Sequence, residues 1–366
     1  LPDALGKPAD RRFFYTLDAM RGAAALAVVI VHDPGFLSPL RMPSAYLAVD
    51  FFFLLSGFVI AHAYGSRLEA GLIWRQFMRD RVIRLYPVYL LGVIIGFFSA
   101  LVALALGGGT LSSLHGVLVA LATGLMFLPS PTMNEAPGLF PLNGPGWSLF
   151  FELIINGIYA LLLPWFTTRR LIVLVACMAL LPIGAALWFG NLDLGSAWPS
   201  FVGGFARVSF SFFAGVLLHR LHRRGFSASR LALLFPCLLT VLLAVDLTGP
   251  WRVLFDLGCV LLVFPALIIV SSRIEPGKRL VPACTWLGAV SFPIYALHFP
   301  LQELMRRVVR FTGVDPSDLA PWAGFVIVPV MMVACYMIVR MYDQPLQRHW
   351  RRRNGAATQR RKAVTV

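Results

Sequence analysis

Residues 17–32 read LDAMRGAAALAVVIVH and place Arg21 and His32 on a single hydrophobic segment. An ionisable pair inside a would-be membrane helix is expensive and is a functional hypothesis by default. At 3.6 residues per turn, eleven steps rotate the chain by about three turns plus 20° and advance it by about 16 Å. Arg21 and His32 therefore share one helix face and lie near opposite ends of it, with Asp18 within about 40° of the same face.

The rest of the chain supports a membrane setting. Of its 366 residues 58% are hydrophobic and 13% charged, and the mean hydropathy is +0.76. Soluble domains carry about 25% charged residues, and no polar stretch is long enough to form one. The net charge of +15, from 32 Lys+Arg against 17 Asp+Glu, clusters between apolar runs and at the ends. That is the pattern of membrane topology and lipid headgroups, with no nucleic-acid partner. Most of the basic residues are arginines, whose planar forks suit phosphate recognition at a few positions. The five cysteines (Cys177, Cys237, Cys259, Cys284, Cys335) lack metal or redox spacing and read as small buried hydrophobes. No metal site is expected. The chain opens on Leu1, which reads as a trimmed amino terminus, and the 17–30 run lacks a cleavage site, so it is taken as a retained span.

Apolar runs of spanning length occur near 15–33, 46–64, 85–106, 111–129, 147–166, 171–190, 200–219, 230–247, 251–271, 284–302 and 322–341. Arg11 and Arg12, the loop Arg67 to Arg84, Arg169 with Arg170, His219 to Arg230, Arg273 to Arg279 and the carboxy-terminal tail are basic and expected on the cytoplasmic side. Parity fails only between Arg84 and Arg169, where three runs lie and where the Gly/Pro-rich stretch Pro129 to Gly146 is irregular. The expected fold is an all-α polytopic transmembrane helical bundle of ten full spans plus one partial or re-entrant segment. Its domains are a cytoplasmic basic tail (1–14), one transmembrane domain (15–341) and a second basic tail (342–366). Arg67 to Leu85, mixing five arginines with apolar residues, reads as an interfacial amphipathic helix.

Alternating span directions set depth. His32, Asp50, Glu152 and His298 fall toward the outer side; Arg21, Arg81 and Arg84 fall at the cytoplasmic end. A carboxylate from Asp50 beside the His32 imidazole would fix its tautomer and stabilise its protonated form. Arg81 and Arg84, three apart on one helix face, could clamp phosphates. Ser56-Gly57 reads as a close helix approach. Arg207, Asp246 and Asp256 are in-membrane charges expected to pair. Buried Asp, Glu and His also serve proton relays, so a multi-pass transporter or flippase is the rival class. The absence of a visible repeat weighs weakly against it. A non-catalytic assembly subunit would tolerate alanine at His32.

Taken in order, Arg21-x10-His32, the Val49 to Phe58 block, Arg81-x-x-Arg84 before Tyr86-Pro87, Trp147-Ser148-Leu149 before Glu152, and Ser291 to His298 resemble the acyltransferase-3 family. These are bacterial integral-membrane O-acyltransferases acting on cell-surface glycans and related acceptors. The resemblance implies an acyl-CoA donor, usually acetyl-CoA, and no metal. It implies a catalytic His32, donor handling by Arg81 and Arg84, and family counterparts in Asp50 and Glu152; the depth reading adds Arg21 to the basic donor mouth and His298 to the site. The acceptor would be a glycan or lipid-linked saccharide, and the setting the bacterial inner membrane, multi-pass, with both termini cytoplasmic. Direct transfer with His32 as general base and an acyl-His intermediate both fit. Asp343-Gln344-Pro345 stands where the family has Glu-x-Pro, and that position is not carried over. The fused soluble hydrolase-like domain of many relatives is expected to be absent. Acceptor identity, acyl length and homo-oligomer formation stay open.

Overall fold

The computed structural model describes residues 13–33, 35–222 and 227–350. Arg11, Arg12 and the basic residues from Arg351 onward lie outside the described residues. The chain is a helical bundle. In order the helices are α1 (Tyr15–Val31), α2 (Ala48–Glu69, led in by the 3-10 turn Ala45–Leu47), α3 (Trp74–Ala105), α4 (Leu114–Leu125), α5 (Gly146–Leu162), α6 (Thr168–Phe189) and α7 (Phe201–Leu221). There follow α8 (Leu234–Ala244), α9 (Gly249–Gly258), α10 (Phe264–Ser271), α11 (Val281–Phe311) and α12 (Trp322–Ile338). A π turn, Cys259–Val263, joins α9 to α10, and a second, Val339–Asp343, carries α12 onward as helix to residue 350. Among the described residues β structure is limited to a parallel two-residue pair, β1 (Ser227–Ala228) with β2 (Ile274–Glu275), and an isolated bridge, Gly138 with Ala197.

Every apolar run of the sequence falls on a helix, but their lengths differ from the expectation. Seven helical segments among the described residues are long and apolar enough to cross a membrane: Ala45–Glu69, Trp74–Ala105, Gly146–Trp165, Thr168–Phe189, Trp198–Leu221, Gly249–Ser271 and Trp322–Trp350. The odd run between Arg84 and Arg169 is α4, whose 12 residues make about 18 Å of helix. The run at 230–247 also falls short, because α8 has 11 residues. The basic stretch from Arg67 is not a separate interfacial helix. After a turn at 70–73, α3 begins at Trp74 and continues for 32 residues through Pro87.

The surface carries the apolar side chains a bilayer requires. Trp188, Val202, Leu262 and Val330 are exposed on α6, α7, the α9–α10 junction and α12, while α2 and α7 are largely enclosed. Two of the cysteines read as buried, Cys177 and Cys237, are instead exposed; Cys259, Cys284 and Cys335 are buried, and all five are free.

Two seams hold the centre. On α2 the residues Asp50, Leu54 and Gly57, spaced i, i+4, i+7, face α7. A Cβ on Gly57 would run into the Phe212 carbonyl oxygen, and one on Gly215 into that of Leu54. On α1, a Cβ at Gly22 would lie 2.8 Å from the Leu287 Cβ of α11. The start of α1 is tied down by β2. Glu275 accepts the Tyr15 and Thr16 N–H groups at 3.0 and 3.4 Å, and the Thr16 hydroxyl donates to the Ile274 carbonyl at 2.5 Å. A carboxylate at a helix amino terminus satisfies orphan donors and favours the helix dipole.

Gly57→Val should therefore destabilise the fold by about 3 kcal/mol or more, since overpacking here meets backbone rather than a movable side chain. Gly184→Ala on α6, with open space around it, should leave the thermal midpoint in detergent within a degree or two, because surface changes are usually within about 0.5 kcal/mol. Equal midpoints for the two variants would contradict the seam.

Candidate active site

The polar residues of the spans sort into two chambers stacked along α1. The chamber at the Arg21 end has a volume of about 180 Å³ and is lined by Arg21, Ser56, Arg81, Arg84, Glu152 and Ser291 among apolar neighbours. The chamber at the His32 end has a volume of about 400 Å³, with His32, Tyr46, Trp147, Asp193 and Phe299 on its walls.

At the first chamber each arginine already has a partner. Arg21 donates to the Ser291 hydroxyl at 2.7 Å and the Gly288 carbonyl at 2.6 Å, and pairs with Asp18 at 3.1 Å. Arg81 pairs with Glu152 at 3.0 Å, and the Ser56 hydroxyl donates to the same carboxylate oxygen at 2.7 Å. Arg84 lies 3.6 Å from Asp343 and over the Phe292 ring. A guanidinium has five N–H donors, so these pairs orient the forks without exhausting them. Asp343, the position left aside on sequence grounds, is 1% exposed and sits in the π turn. Its signal was the local Asp-x-Pro itself, read as a departure rather than as a partner for Arg84.

At the second chamber, His32 follows the last residue of α1. Its Nδ1 lies 2.9 Å from the Val28 carbonyl. A carbonyl only accepts, so Nδ1 carries a proton, and in the neutral ring the lone pair is on Nε2. The His298 ring is 5.1 Å away between centroids. Its Nδ1 likewise donates to the Tyr295 carbonyl at 2.8 Å, and its Nε2 has no partner. The end of α1 is held by α11: Gln302 donates to the Val29 carbonyl at 3.0 Å and Arg306 to that of His32 at 2.9 Å. The loops over this chamber are clamped by Glu135. It accepts the Ser113 hydroxyl at 2.7 Å and the Ser112 and Ser113 N–H groups, which hold its carboxyl below the usual range.

Two expected placements are corrected. Asp50 does not orient His32. Its carboxylate takes the Arg207 Nη2 at 2.6 Å and Nε at 3.1 and 3.2 Å. On α2 it is Val49 that lines the His32 chamber, and one residue on turns Asp50 by about 100° toward α7. Nor does Glu152 join the histidines. It lies about 9 Å down α5 from Gly146, beside Arg81. The cluster of four is thus a histidine pair at one level, a Glu–Arg pair below it and a separate Asp–Arg pair. Arg207, expected to pair, is fully buried, and its Nη1 and Nη2 also donate to the Leu194 and Tyr46 carbonyls. Asp256 accepts the Tyr46 hydroxyl and the Leu192 N–H. Asp246 is exposed beyond α8. Among the described residues no group of three or more His, Cys, Asp or Glu side chains could hold a metal.

Arg207→Met should cost about 3–5 kcal/mol, because it leaves the Asp50 charge buried alone. Adding Asp50→Leu should recover part of that loss in the thermal midpoint of the purified protein. A double variant less stable than either single one would mean that the pair itself is the dominant stabiliser.

The sequence is 40% identical over 186 residues to "Protein 2 in picA locus" of Rhizobium radiobacter, an alignment covering 48% of this chain and 96% of that protein. It is 23% identical over 377 aligned positions to the peptidoglycan O-acetyltransferase OatA of Listeria monocytogenes, covering 93% of this chain and 56% of OatA. No solved structure matches. The profile of the acyltransferase-3 family, described as an acyltransferase domain, matches residues 14–341, nearly the whole described bundle, and the chain belongs to that family of membrane acyltransferases.

Proposed function

We propose that the protein transfers an acyl group, acetyl in the simplest case, from acyl-CoA to a hydroxyl of a cell-surface glycan or lipid-linked saccharide, with His32 as general base. The carrying observation is the stacking of an arginine-lined chamber and a histidine-lined chamber along one helix, with Arg21 and His32 at its two ends. Their separation of about 16 Å suits a donor whose phosphates and reacting thioester are joined by a long arm. The Arg21, Arg81 and Arg84 forks would take the phosphates as added hydrogen bonds.

At the far end the acceptor O–H gives its proton to His32 Nε2 while its oxygen attacks the thioester carbonyl. The C–S bond then breaks, and the CoA sulfur takes the proton back from the imidazolium. The Val28 carbonyl, rather than a carboxylate, holds the tautomer this requires. In this reading the protein lies in the bacterial inner membrane, both termini cytoplasmic, with the Arg21 chamber facing the donor pool. The similarity to a peptidoglycan O-acetyltransferase supports the acetyl donor and the surface-glycan acceptor.

A ligand that binds only the folded state raises stability by mass action, by about 2.7 kcal/mol at one hundred times its Kd. Acetyl-CoA should therefore raise the thermal midpoint of the purified protein saturably, and Arg81→Ala with Arg84→Ala should remove the shift. His32→Ala should keep the shift and lower acetyl transfer to cell-envelope glycans, measured as ester acetate, by about 10²–10⁴-fold. Wild-type transfer by His32→Ala would remove His32 from the reaction. No shift with any acyl-CoA, in folded protein, would remove the donor assignment.

A further inference from the structure

Two residues, Val49 of α2 and Tyr295 of α11, line both chambers. The lining changes chamber at that level on the other helices too. On α5, Trp147 faces the His32 chamber and Ser148 the Arg21 chamber; on α11, Phe299 lines the His32 chamber and Phe292 the Arg21 chamber. The chambers therefore adjoin at the level of Val49 and Tyr295, and a donor reaching from one into the other passes a neck between these two side chains.

Both walls are stiff. Val49 is β-branched, and such side chains hold one χ1 rotamer in a helix. Tyr295 is fixed at its tip and along its ring. Its hydroxyl lies 2.6 Å from that of Ser148. Ser148 donates its single proton to the Pro145 carbonyl at 3.0 Å, so Tyr295 is the donor to Ser148. The Tyr295 ring also packs edge-on to Phe52, with centroids 5.3 Å apart.

We propose that this neck selects the acyl group by width: it passes straight, unbranched acyl chains and rejects those branched beside the carbonyl. The inference rests on the proposed donor route from Arg21 to His32. A straight acyl is no wider than the methylene arm that carries it, so its length meets no barrier here. A methyl branch at the carbon next to the carbonyl adds width where Val49 and the tethered Tyr295 ring stand. Val49 and Tyr295 are thus specificity-determining residues, and Ser148 a positioning residue acting through Tyr295.

The test uses two alkylating donor analogues, bromoacetyl-CoA and its branched counterpart 2-bromopropionyl-CoA, on the purified full chain. In each case His32 Nε2 displaces bromide, a C–N bond forming as the C–Br bond breaks. Modified His32 is read by peptide mass spectrometry, and each rate is divided by that with free imidazole. The wild type should label at least about tenfold faster with the straight probe, the scale on which one methylene is discriminated in a fitted site. Val49→Ala, or Ser148→Ala should the first fail to fold, should bring the two rates to within about threefold of one another. Equal normalised rates in the wild type, or an unchanged ratio in both variants, would overturn the width filter while leaving the donor route standing. No labelling of His32 by either probe, in protein whose midpoint acetyl-CoA still raises, would overturn the route itself and the filter with it.

Discussion

A fully enclosed guanidinium organises the centre of this bundle. Removing an arginine from water is tolerable only when its donors are met, and Arg207 finds its acceptors on three different pieces of chain. Asp50 takes Nε and Nη2, the Tyr46 carbonyl takes Nη2 as well, and the Leu194 carbonyl takes Nη1. The Trp147 ring lies 5.4 Å from the guanidinium carbon. One side chain on α7 thus fixes the entry to α2, the turn before α7 and the first turn of α5. Tyr46, Val49 and Trp147, all walls of the His32 chamber, inherit their positions from it.

The sequence carried the bundle and the order of its helices, because apolar runs of span length have few other destinations. Counting residues along a helix of known rise gives position along each helix axis. What it did not carry was azimuth between helices. Asp50 and His32 were wrongly joined, because a step of one residue on α2 decides between the chamber and α7. Glu152 failed in the other coordinate, lying one and a half turns further in than its neighbours. Short helices were also hidden. The run at 230–247 is apolar but for Arg230, Thr240 and Asp246, yet α8 stops at Ala244, and hydropathy does not distinguish a helix from the extended chain that follows it.

The block Ser291 to His298 shows why an ordered set of weak motifs can be specific. Its residues at i, i+4 and i+7 are Ser291, Tyr295 and His298, one face of α11. The first binds Arg21, the second divides the chambers and the third packs on His32. A single helical stripe therefore touches each level of the site, and the polar identities along it are constrained together. The arginines behave similarly. Arg21, Arg81 and Arg84 each meet a carboxylate, on the same helix or on α5 and the π turn after α12, so the charges that define the first chamber also hold the helices that enclose it.

The pairing of α1 with α11 bears on how the protein is made. Arg21 leaves the ribosome 270 residues ahead of Ser291, an interval on the order of tens of seconds at ordinary synthesis rates. During that time α1 has neither the Ser291 hydroxyl, nor the Gly288 carbonyl, nor Glu275 at its start. What it does have is Asp18, one turn away and 3.1 Å from Arg21. Of the Arg21 contacts, the i, i+3 pair is the one that needs no later helix, so α1 has a counter-ion available before α11 is made.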